Sequence, residues 1–84
     1  MTLNKIKWQL KYIIKSNNIP YRTLAYKIYE NSDRIDLVSR ALSMKYTLQD
    51  KLLELEKLNK IANILGYSIE AIDKNNYKLI KKEK

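Results

Sequence analysis

Two short runs decide how this chain is read: Pro20-Tyr21-Arg22-Thr23-Leu24-Ala25-Tyr26-Lys27-Ile28, and Ile35-Asp36-Leu37-Val38-Ser39-Arg40-Ala41-Leu42, joined by the stretch from Tyr29 to Arg34. In the first, Leu24, Ala25 and Ile28 recur at helical spacing behind a proline whose missing N–H suits a first helical turn. That helix is expected to run to about Glu30. In the second, Ile35, Val38, Ala41 and Leu42 share one face of a shorter helix. It follows Asn31-Ser32-Asp33, residues that turn chains and cap helices. Ser39 and Arg40 fall on its outer side. Neither helix is long enough to persist alone in water, so both need neighbours to bury their apolar faces.

The flanking sequence supplies them. Upstream, Leu3, Ile6, Leu10, Ile13 and Ile14 fall within one arc of about 100° on a helical wheel, with Asn17-Asn18 ending the run. Downstream, a polar break near Met44 to Thr47 precedes the longest periodic segment, in which Leu52, Leu55, Leu58, Ala62 and Leu65 follow Leu48 at three-and-four spacing. Gly66 stops it. Ser68, with Glu70 in the first turn behind it, is expected to cap a last short helix through Ile72, and no strand signal stands out. The expectation is an all-α, compact bundle of four to five helices with a helix-turn-helix core. It occupies residues 1–73 as one domain, followed by a largely mobile basic C-terminal tail, 74–84.

Eighty-four residues suffice for one core and too few for two. With 45% hydrophobic and 31% charged residues the chain is a folding one and not a disordered one. It contains no cysteine and no histidine. That composition leaves no disulfide, thiolate zinc site, cysteine nucleophile or imidazole base, and agrees with a reducing cytoplasm. Its single glycine cannot build a phosphate-cradling loop. No enzyme, cofactor or metal is expected. Asp33 with Asp36, and Asp50 with Glu54, read as solvated surface acids. The lysine-interrupted amino terminus is neither a signal peptide nor a membrane span.

The net charge of +8 is uneven. Residues 1–27 carry six basic groups and no acid, residues 28–73 carry six basic and eight acidic groups, and residues 74–84 carry five lysines against Glu83. A polyanion is the economical partner, because each neutralised phosphate releases condensed counterions. A lysine-rich composition favoured for solubility alone gives the same count, and an acidic membrane surface ranks behind both.

The order of pieces resembles the Cro/repressor-type (Xre-like) helix-turn-helix domains of phage and plasmid regulators, over most of residues 3–72. Ile19 to Ala25 is similar to the start of that family's second helix, Leu37-Val38-Ser39-Arg40 to the middle of its recognition helix, and Leu58 to Glu70 to its fourth helix, glycine stop and fifth helix. Two departures stand out: the turn between the central helices holds no glycine and is enlarged, Ala25 to Val38 being longer than the family's spacing, and the connection from Met44 to Leu53 is enlarged as well. The resemblance implies a cytoplasmic homodimer that binds double-stranded DNA and regulates transcription from a mobile element. Arg34, Asp36, Ser39, Arg40 and Ser43 would then read bases, and Tyr21, Arg22, Lys27 and Lys45 would hold phosphates. A protein target is the rival partner, as for a phage- or plasmid-encoded inhibitor or antitoxin built on the same scaffold.

Trp8 and Tyr12 fall opposite the buried stripe of the first helix, among Lys5, Lys11 and Lys15. They are candidates for a dimer interface or for stacking on a single-stranded nucleic acid. Alternatively, Tyr77, Leu79 and Ile80 of the tail fold back over them. Tyr67, beside the helix stop, reads as core.

Overall fold

The computed structural model describes residues 1–45 and 49–82. The chain forms α1 (Leu3–Ser16), α2 (Tyr21–Tyr29), α3 (Ile35–Leu42) and α4 (Lys51–Ile64), followed by two antiparallel strands, β1 (Tyr67–Asp73) and β2 (Asn76–Lys81). It is therefore a mixed helix-and-hairpin fold, and the all-α expectation is corrected.

Local chemistry sets the helix ends. Thr2 Oγ1 accepts from Lys5 N at 3.3 Å, and Asp50 Oδ1 accepts from Leu52 N at 3.0 Å and Leu53 N at 3.3 Å, satisfying N–H groups that have no partner inside a helix. At the end of α1, Asn18 adopts a left-handed conformation (φ 53°), so Asn18 N reaches Lys15 O and Ile19 N reaches Ile14 O. Glu30 plays the same part after α2 with φ 55°, its N–H donating to Tyr26 O at 2.8 Å. The position that lacks a glycine between the central helices is thus filled by a strained non-glycine residue. Asn31 Oδ1 then accepts from Asp33 N at 2.9 Å and turns the chain into α3.

The core joins Ile6, Leu10 and Ile14 of α1, Leu24 and Ala25 of α2, Val38 and Leu42 of α3, and Leu58, Ile61 and Ala62 of α4, closed at one end by Ile69 and Tyr77 from the hairpin. Of the expected stripe of α4, Leu58 and Ala62 are buried and Leu55 and Leu65 pack against the core, whereas Leu52 is 76% exposed and the buried side extends to Glu54 and Ile61. Tyr46, Thr47 and Leu48, where the polar break ends and the apolar repeat was expected to begin, lie outside the described residues, as do Glu83 and Lys84.

The expected capped helix at Ser68–Ile72 is instead strand β1, and most of the expected tail is its partner. Tyr67, Ile69 and Ala71 pair with Lys81, Leu79 and Tyr77, and between them Glu70 faces Lys78 and Ser68 faces Ile80. Alternation therefore puts Ile69, Tyr77 and Leu79 on the core side and the Glu70–Lys78 pair on the other. Asp73 makes the turn: Oδ1 accepts from Asn75 N and Asn76 Nδ2, both at 3.1 Å. Three ties dock the hairpin. Asn59 Oδ1 of α4 accepts from Ile69 N at 3.0 Å, Met1 exchanges two 2.7 Å backbone hydrogen bonds with Tyr77, and Lys82 N donates to Gly66 O at 2.8 Å. Gly66 follows α4 with φ 90°, a conformation that disfavours any side chain. No helix among the described residues is long and apolar enough to cross a membrane.

Candidate nucleic-acid interface

α3 buries Val38 and Leu42 and turns its other side outward. At about 100° per residue, Asp36, Ser39, Arg40 and Ser43 lie within an arc of roughly 100° opposite Val38. Asp36, Ser39 and Arg40 are exposed and Ser43 is half-buried at the helix end. Arg34 precedes the first turn, and its Nε lies 3.4 Å from Asp36 Oδ1 with both side chains about half exposed. The hydrogen bond from Arg34, ahead of the backbone N–H groups of the first turn, holds the Asp36 carboxyl below its ordinary range. Asp36 therefore stays charged and offsets part of the positive field of Arg34.

The C-terminal end of α3 is anchored by a buried charge. Lys7 of α1 has no exposed surface, sits 2.5 Å from Glu54 Oε1 of α4, and donates from Nζ to Ser43 O at 3.2 Å. The ammonium neutralises the carboxylate and satisfies a terminal carbonyl of α3, which is what makes its burial tolerable. One cation so links three helices. Lys7 is unavailable to a phosphate, and Glu54 is not the solvated surface acid it was expected to be. The signal for the pair was weak: Lys7 lies at the border of the apolar arc of α1, and Glu54 falls between the leucines of α4.

Beside α3 runs a groove of about 290 Å³, lined in part by Lys11 of α1, Tyr21 of α2, Ser39 and Ser43 of α3, and Met44 and Lys45 beyond it. Ser39, Ser43, Tyr21 and Lys45 are thus brought together, and Lys11, which sequence placed only beside Trp8 and Tyr12, joins them. The sequence signals for Lys11 were its place on the outer face of the first helix and the acid-free character of residues 1–29, neither of which puts it beside α3. Ser43 Oγ accepts from Lys45 N at 3.2 Å and fixes the chain leaving α3. Partial burial pushes the Tyr21 hydroxyl up from its ordinary pKa, so it remains a neutral donor. Arg22 is exposed on α2. Lys27 lies in a separate crevice, with Lys60 and Asn63 of α4.

Trp8 and Tyr12 are 56% and 62% exposed, and β2 does not cover them: Tyr77 is buried in the core and Leu79 packs against it. Their rings lie 6.3 Å apart, inclined by 22°. No family model, curated protein or solved structure matches this chain.

Proposed function

We propose that the protein binds duplex DNA through the outer side of α3, with α2 across the phosphate backbone, and that it acts as a small regulator by occupying its site. The observation that carries this reading is the outward arc of Asp36, Ser39, Arg40 and Ser43 on a short helix whose other side is locked into the core. An α-helix fits the major groove, and serine and arginine are side chains that hydrogen-bond base edges. Arg40 is the residue suited to a guanine edge, where a bidentate pair contributes about 1 to 3 kcal/mol of discrimination. Lys11, Tyr21 and Lys45 flank that arc and, with Arg22 exposed on α2, supply the phosphate contacts that fix register. Lys27 sits on the opposite flank of α2 and belongs to the reading less directly. A homodimer on a pseudo-palindromic site, in the cytoplasm, is the arrangement such a reader uses.

The test begins with selection of bound sequences from random duplexes, followed by titration of the selected and a random duplex. Arg40→Ala is expected to weaken the selected site about tenfold or more and the random one far less. Equal losses on both would make Arg40 a phosphate contact. Failure to select any sequence would remove the regulatory reading.

A further inference from the structure

The outer face of α1 has an arrangement that groove reading by α3 leaves unused. Lys5, Trp8, Lys11, Tyr12 and Lys15 share one arc of about 120° of the helix. Two near-parallel aromatic rings stand in solvent at its centre, with three ammonium groups around them. Met44, 41% exposed, extends the apolar surface and with Asn4, Lys5 and Trp8 lines an open crevice of about 420 Å³. No acidic residue occurs before Glu30. Met44 also borders the groove that holds Lys11 and Ser39, so the two surfaces are continuous.

The chemistry of this face chooses among occupants. A second copy of the chain docked here would bring six lysines together with no acid from either α1, and like charges at an interface core oppose association. A membrane surface requires an apolar helix face to immerse. The apolar face of α1 is already spent on Ile6, Leu10 and Ile14 in the core. Flat rings interleaved with cations match a strand whose bases are free to stack and whose phosphates run alongside. We infer that the α1 face formed by Trp8, Tyr12 and Met44 within Lys5, Lys11 and Lys15 is a platform for single-stranded nucleic acid. The platform does not depend on α3 entering a duplex.

The probe is a labelled oligothymidylate of about 12 nucleotides, long enough to span the face, titrated by fluorescence anisotropy at low salt. Wild type is expected to bind, with affinity falling as salt rises. Trp8→Ala and Tyr12→Ala are each expected to weaken binding at least about fivefold, Trp8→Phe to retain most of it, and Arg40→Ala to change it less than about twofold. Because both rings are exposed, circular dichroism of the alanine variants should match wild type. Four results would overturn the assignment. They are no binding of the oligonucleotide, binding unaffected by loss of either ring, equal loss in Arg40→Ala, and equally tight binding of polyglutamate or anionic vesicles. Loss of duplex binding in Arg40→Ala with the oligothymidylate response intact would separate this site from the α3 reading.

Discussion

Lys7 is the residue on which the placement of α3 turns, since it meets both a carboxylate of α4 and a carbonyl at the end of α3. Truncating one partner leaves the other charge buried, which costs about 3 to 5 kcal/mol, whereas replacing both with apolar groups of similar volume is near neutral. Lys7→Met is therefore expected to lower the unfolding free energy by about that amount in a denaturant titration, and Lys7→Met with Glu54→Leu to recover most of it. Additive losses in the double variant would mean the two do not act as a pair. Glu30 offers a second test. Its φ of 55° is tolerable for glycine and poor for a β-branched side chain. Glu30→Gly should exceed Glu30→Val in stability by about 1 to 2 kcal/mol. Sequence reasoning noted the missing glycine there; which residue would take the left-handed conformation was not legible, because any polar residue in that turn was eligible.

The helices were legible as elements because their apolar residues repeat with the period of the helix, and α2 and α3 fall where Leu24, Ala25, Val38 and Leu42 put them. The hairpin was not. Ile69 and Ile72 are spaced like a helical turn, and Ser68 with Glu70 has capping chemistry, so a seven-residue strand read as a short helix. The discriminating signal lay in the Asp73-Lys74-Asn75-Asn76 turn followed by alternation in Tyr77-Lys78-Leu79, which the adjacent Ile80 interrupts. Pairing with β2 and docking on α4 then settle β1 as a strand, tertiary contacts overriding a weak local preference. The stripe of α4 was legible at Leu55, Leu58, Ala62 and Leu65 and failed at Leu52; because apolar residues alone marked it, it hid a glutamate that is buried because it is paired. At the hairpin turn, hydrogen bonds from Asn76 and then the Asn75 amide hold the Asp73 carboxyl below its ordinary pKa. A carboxyl lowered on folding stabilises the fold above its unfolded pKa of about 3.9, and that contribution is lost as pH falls through the lowered folded value. The stability difference between wild type and Asp73→Ala, measured by thermal melting across pH, should thus be full near neutrality and shrink in acid. A difference independent of pH would place the effect of Asp73 elsewhere.

At the scale of the whole molecule, the proposed partner rests on charge and shape together. The basic excess of residues 1–27 falls mainly on the exposed sides of α1 and α2, with Lys7 as the buried exception. The more balanced remainder carries the core of α4 and the outward arc of α3. The basic excess that suggests a polyanion was legible in composition; that Lys11 borders α3 was not, because only the packing of α1 against α3 brings them together. Salt dependence should report the arrangement: the slope of log affinity against log salt for a duplex is expected to lessen by about 0.9 in Arg22→Ala and in Lys45→Ala, with similar losses on all sequences. Unchanged slopes would take those residues off the backbone.

The most direct test of the central claim is a titration of isotope-labelled protein with its selected duplex, followed through backbone amide chemical shifts. The account predicts changes concentrated on Arg34 to Ser43, with Tyr21, Arg22 and Lys45 next. An unperturbed α3, or changes confined to Trp8 and Tyr12 on α1, would contradict it.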